Sequence, residues 1–157
     1  MANTHELLSR GNWTGTGLRE LVETALGPHV ARSGAAIVVN GPDIKLTPAA
    51  ASTLGMIFYE LATNAVKYGG LSDQSGHVDI SWLTEKVHEG ERLVLKWTEI
   101  GGPSPGKEAS EGFGTAFVKR SVEYELSGSV DLRLEPGGLT CTVSMPLKGN
   151  IQSATAT

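Results

Sequence analysis

Residues 54–69, LGMIFYELATNAVKYG, decide how this chain is read. From Leu54 to Val66 the segment is apolar nearly all round, and its strongly polar members are Glu60, Thr63 and Asn64. At about 100° per residue, Glu60, Thr63, Asn64 and Lys67 fall on one helical stripe, at i, i+3, i+4 and i+7. One reading is a plain solvent-facing stripe. An ordinary wet face would be wider and richer in Lys, Arg and Glu, and Asn is a poor mid-helix residue. The other reading is chemical: a carboxylate and a carboxamide one turn apart, on an otherwise buried helix, suit metal and phosphate work. The Asn64 side-chain oxygen is a ligand type for Mg²⁺, a hard cation that also takes phosphate oxygens. Glu60 can orient or deprotonate a nucleophile, and Lys67 can sit against phosphate.

The elements around this helix follow from local chemistry. Thr47 is an N-cap with Pro48 at the first helical position, and Gly69-Gly70 stops the helix near Tyr68. Upstream, apolar residues at 18, 21, 22, 25 and 26 mark a helix that Gly27-Pro28 is expected to end. Ala36 to Val39 reads as a strand closed by Asn40-Gly41-Pro42, and Lys45-Leu46-Thr47 as a second short one. Downstream, 78–82 and 93–97 alternate apolar and polar, with a polar hairpin turn expected over 85–91. The glycine- and proline-rich stretch 101–114 excludes regular structure there. A helix over 115–126 and strands near 128–134 and 139–146 complete the pattern, and the polar end GNIQSATAT is expected to fray. Helices followed by hairpin-connected strands predict an α+β two-layer sandwich, with helices on one face of a mostly antiparallel sheet.

Bulk properties narrow the function classes. A net charge of −4 argues against a general nucleic-acid binder. There is no apolar run of about 18 residues, so no membrane contact is expected, and no signal-peptide core is visible. Cys141 is the single cysteine, which excludes an internal disulfide and fits a reducing, cytoplasmic setting. The length suits one compact domain.

Two weaker signals lie beyond the central helix. Trp97-Thr98-Glu99-Ile100-Gly101-Gly102-Pro103 puts a carboxylate at a strand end entering a glycine turn. Buried there, Glu99 would accept a hydrogen bond from an exocyclic amine such as adenine N6, while the glycines let the backbone approach a flat ring. A surface glutamate beside a turn is the plainer alternative. Gly112-Phe113-Gly114-Thr115 then leads into a helix whose first N–H groups suit a phosphate. A lone GxG is weak on its own.

The ordered set is stronger than its parts. ExxxNAxKYG, then WxExGGP, then GFGT before a helix resembles the N, G1 and G2 boxes of the GHKL ATPases, which include sensor histidine kinases and gyrase-type topoisomerases. In detail it is similar to the HWE group of bacterial histidine kinases, from about Leu8 to Pro146. The resemblance implies the Bergerat (GHKL) ATP-binding fold, with helices on one face of a mixed sheet, and ATP and Mg²⁺ as cofactors. It implies Glu60 as the N-box acid, Asn64 as the Mg²⁺ ligand, and Lys67 and Tyr68 beside the phosphates. Glu99 stands where the adenine-recognising acid of the G1 box belongs, followed by Gly101 and Gly102. Gly112 and Gly114 match the glycines closing the ATP lid, with Thr115 behind them and Lys107 within the lid near phosphate. The group's namesake histidine is replaced here by Tyr59.

Such kinases carry their phosphoacceptor histidine on a helical hairpin that precedes the ATP domain. His5 matches the end of that region rather than the acceptor, and His29, His77 and His88 are scattered in loop or strand-edge contexts. The expected organisation is therefore 1–17 as a remnant of the upstream helical linker, 18–147 as the catalytic domain, and 148–157 as a disordered polar tail. The implied activity is transfer of the γ-phosphate to that histidine, with a response-regulator receiver domain as the next partner. Rival readings are a GHKL ATPase, an anti-sigma-type serine kinase, and a nucleotide-binding module without catalysis.

Overall fold

A computed structural model describes residues 16–33, 36–68, 76–88, 90–101, 113–135 and 138–154. The described residues form three helices: α1 (Leu18–Ser33), α2 (Pro48–Tyr68) and α3 (Phe113–Glu125). The strands are β1 (Thr16–Gly17), β2 (Ala36–Asn40), β3 (Ile44–Leu46), β4 (His77–Val87), β5 (Gly90–Ile100), β6 (Ser129–Glu135), β7 (Gly138–Pro146) and β8 (Ile151–Ala154). Strands β2-β4-β5-β7-β6 make one sheet, antiparallel except that β2 runs parallel to β4. A smaller antiparallel sheet, β1-β3-β8, lies beside the starts of α1 and α2.

The two layers meet in one core. Along β5, Leu93, Leu95, Trp97 and Glu99 are buried, and the residues between them are not. That period of two gives the sheet one covered face. Val78, Ile80 and Trp82 of β4 and Cys141, Val143 and Met145 of β7 continue it. Against this face α2 buries Leu54, Ile57, Phe58, Leu61, Ala62 and Ala65, packed between α1 and α3. Each fully buried Leu, Ile or Phe contributes about 1.5–3 kcal/mol. The expected helix start is present: Ala50 donates its N–H to Thr47 Oγ1 at 3.3 Å. At the expected turn 40–42, a Cβ on Gly41 would lie 2.3 Å from the Trp82 indole, so only glycine lets this ring pack down.

Four expectations are corrected. Helix α1 does not stop at Gly27-Pro28 but continues to Ser33. Pro28 removes one N–H, yet the next turn is held by tertiary contacts: Val30 packs on the core and the His29 ring meets Tyr59 of α2 edge-on. The β4–β5 hairpin pairs as far as Val87↔Gly90, well into the stretch expected as turn. Opposite charges face each other there, Glu85 with Arg92 and Lys86 with Glu91, which favours pairing beyond the core. Helix α3 begins at Phe113, so Gly114 and Thr115 are inside it. Finally, Ile151–Ala154 is not a frayed tail but a strand paired with β3.

Candidate functional site

The polar stripe of α2 is its less buried side. Glu60, Thr63 and Asn64 are half-buried and Lys67 is exposed, while the rest of the helix supplies the core. Thr63 turns its hydroxyl back onto Tyr59 O at 2.8 Å, so it is occupied within the helix. Glu60 and Asn64 remain as a half-buried acid and amide one turn apart. Tyr59, at the position of the family histidine, belongs to the seam with α1. Its ring sits 6.1 Å from that of His29, at 61°. His29 thus lies in a helix, a fifth correction, against its expected loop or strand-edge setting, whereas His77 opens β4 and His88 follows it.

Glu99 is buried, at 4% exposure, so it is not a surface glutamate beside a turn. It lies on the helix-covered face of β5, and its Oε2 accepts the Trp97 indole N–H at 3.0 Å. That bond fixes the carboxylate along the strand and offsets part of its desolvation. On β7 the register places Cys141 opposite Trp97 and Thr140 opposite Thr98. Leu139 and Cys141 therefore share the Glu99 face, while Thr140 lies on the other. Burial, with the charges of Asp131 and Glu99 adding to it, pushes the Cys141 thiol up to about 12, so it stays protonated. Gly138 lies under the Glu99 backbone: it has φ +138°, and a Cβ there would come 2.2 Å from Glu99 O. Gly101 turns the chain out of β5 with φ +73°.

Gly114 and Thr115 lie in the first turn of α3, where backbone N–H groups have no intrahelical partner. Tyr68 is the last residue of α2. Gly102, Lys107 and Gly112 lie outside the described residues. So do the side chains of Tyr68 and Thr115.

Sequence reasoning passed over Asn150, which is buried at 6% exposure and bonded at both amide hydrogens. Its signal was faint: a lone Asn after Gly149 in a polar stretch. A cleft of about 290 Å³ between the start of α1 and β3 is lined by Gly17, Arg19, Glu20, Asp43 and Lys45. It contains none of the candidate residues. Arg19 within it is already committed to Val39 O at 3.0 Å and to the Trp82 ring.

The donor set bears on the expected cofactors. No group of three or more His, Cys, Asp or Glu among the described residues is arranged to hold a metal ion. A single carboxamide on a half-buried stripe fits an ion that brings most of its oxygen ligands with it, as Mg²⁺ does on a triphosphate. A buried carboxylate acceptor beneath the helices likewise fits an amine-bearing ring.

This architecture, three helices on one face of a mixed five-stranded sheet, is that of histidine kinase catalytic domains. The described fold superposes on the catalytic domain of histidine kinase ThkA with a TM-score of 0.63 at 12% identity, covering 87% of this chain and 97% of that one. It also superposes on the histidine kinase domain of the Erythrobacter litoralis EL346 blue-light-activated histidine kinase, with a TM-score of 0.60 at 19% identity, covering 91% and 68%. The HWE histidine kinase family matches residues 1–43. A blue-light-activated histidine kinase of Brucella anthropi is 33% identical over 151 residues, 96% of this chain and 31% of that protein. One from Brucella ovis is 31% identical over 147 residues, 94% of this chain and 30% of that protein. The chain thus spans about a third of the length of the curated relatives it matches. It is similar to the HWE histidine kinases and has the fold of histidine kinase catalytic domains.

Proposed function

We propose that this chain binds Mg-ATP and presents its γ-phosphate to a histidine on a separate phosphoacceptor hairpin, the first step of a relay to a response-regulator receiver domain. The observation that carries this reading is the pairing of half-buried Glu60 and Asn64 on a helix otherwise committed to the core. Bound ATP supplies the phosphoryl group, and its Mg²⁺ neutralises the charge that develops on the phosphate oxygens.

The chain's own groups do the positioning. Glu99, held by the Trp97 indole, accepts from the adenine amine. The absence of a side chain at Gly101, Gly102 and Gly138 leaves room around the ring. Asn64 ligates the ion, and Lys67 and Tyr68 lie against the phosphates. Free N–H groups at the start of α3, with Gly112, Gly114 and Thr115, take phosphate oxygens, and Lys107 approaches from the lid. Glu60 accepts the proton of the acceptor imidazole at one ring nitrogen, making the other nucleophilic. The buried, protonated Cys141 takes no part, and a reducing cytoplasmic compartment suits it.

The test is incubation with γ-labelled ATP and the upstream helical segment, followed by acid and base treatment of the label. Acid-labile, base-stable label identifies phosphohistidine. Acid-stable label points to a serine kinase, and phosphate release without label to an ATPase. Asn64→Ala is expected to lower labelling roughly a hundredfold or more, the scale seen when transition-state charge stabilisation is lost. Wild-type labelling by a folded Asn64→Ala protein removes that residue from the mechanism.

A further inference from the structure

Helices α2 and α3 carry the two halves of the phosphate site proposed above, and one residue outside both fastens them together. Asn150 follows β7 in a turn closed by bonds from Asn150 N and Ile151 N to Leu147 O. Its Nδ2 donates to Leu126 O, just past the end of α3, at 2.8 Å, and to Pro146 O, the end of β7, at 2.9 Å. Both amide hydrogens are thus used, and two carbonyl partners identify that atom as nitrogen. Its own carbonyl accepts from Thr47 N at 2.9 Å, directly before α2, and Thr47 Oγ1 donates to Gly149 O at 3.3 Å. The same segment runs on into β8, whose pairing with β3 joins this point to β1.

The starting end of α2 and the finishing end of α3 therefore meet at one residue, α2 through its backbone carbonyl and α3 through its side-chain amide, and the two helices pack on each other. Asn64 lies 17 residues beyond Thr47, about 25 Å along the axis at 1.5 Å per residue. Over that lever, a change of about 3° at the clasp moves the Asn64 end by about 1 Å. Displacements of that size are large for phosphoryl transfer. Glu99, by contrast, is set by the sheet and does not pass through the clasp.

We propose that Asn150 is a positioning residue for the Mg-triphosphate half of the site: it sets the spacing between Asn64 on α2 and the phosphate-facing start of α3, and leaves adenine recognition to β5. The inference rests on the nucleotide reading above, and the experiment separates the two. Calorimetry of the whole chain would measure affinity for Mg-ATP, and for ADP under a chelator, which reads the adenine end. For Asn150→Ala, Mg-ATP affinity is expected to fall roughly tenfold while ADP affinity stays within about twofold, the split that misplacement at the phosphates alone produces. Thr47→Val, which removes the hydroxyl bond to Gly149 O and so weakens the α2 side of the clasp while its backbone bond to Asn150 remains, should shift the same ratio in the same direction, and carries the test should Asn150→Ala not fold. Val143→Ala, a core change on β7 outside the clasp, controls for lowered stability and should leave the ratio unchanged. Unchanged Mg-ATP affinity in a folded clasp variant overturns the proposal. So does an equal fall for both ligands, or the same split in Val143→Ala. No Mg-ATP binding by the unsubstituted chain overturns the nucleotide reading and the clasp with it.

Discussion

Glu99, Trp97 and Cys141 show how much of a site is decided by single contacts. The carboxylate is tolerable in the core because an indole N–H meets it, and its charge in turn helps keep the neighbouring thiol neutral. The sign of the resulting pH effect is fixed. An unfolded thiol titrates near 9.0, whereas the folded one is raised to about 12, so between those values the unfolded chain has lost a proton that the folded chain keeps. The stability Cys141 contributes is complete below pH 9.0 and is lost as pH climbs toward 12. Thermal midpoints measured from pH 8 upward should fall more steeply for the native chain than for Cys141→Ala. Parallel curves would show that the thiol does not titrate in this way. At this scale the sequence revealed residue types but not their surroundings. Glu99 in WxExGGP is legible as a candidate, but its burial is not, because burial depends on what the helices bring over the strand.

At the level of elements, α1 is the instructive case. Gly27-Pro28 is a local stop signal, and the helix overrides it because the turns beyond contribute packing through Val30 and the His29–Tyr59 contact. Gly27 is left as an unneeded weakness: a Cβ there meets nothing within 4 Å, and its φ is not positive. Gly27→Ala should therefore stabilise the chain by about 0.5–1 kcal/mol, by restricting the unfolded backbone. Chemical denaturation measures this, and a loss of stability would mean that the helix needs glycine beside Pro28. Helix α2 was readable almost to the residue, since its cap, its apolar run and its glycine stop are all local. Strand β8 was not, since four mixed residues pair only because β3 offers an edge.

Across the whole molecule, stability should be graded from the middle of the large sheet outward. Strands β4, β5 and β7 each have partners on both sides, whereas β2 and β6 are edges. Native-state hydrogen exchange should find the slowest amides in β5 and its two neighbours, with β2 faster. Equal protection in β2 would indicate a single cooperative unit reaching the edge. The parallel β2–β4 pair also shows why the mixed character of the sheet was a matter of resemblance rather than of spacing. Strand direction depends on the path taken by the chain between strands, here through β3 and α2, and alternation alone does not encode it.

What the sequence determined by itself is whatever depends on neighbours along the chain. That includes the 3.6-residue stripe bearing Glu60 and Asn64, the Thr47 cap, the alternating strands, and an ordered set of motifs specific enough to point to a kinase family. What only the tertiary structure decided is whatever depends on residues far apart. It put Glu99 under the helices, set Thr140 on the opposite face from it, carried α1 past its proline, and turned the supposed tail into the segment that joins α2 to α3 through Asn150. The physical reason is the same in each case: burial and long-range hydrogen bonds are properties of what packs against a residue, and a local pattern constrains that only weakly.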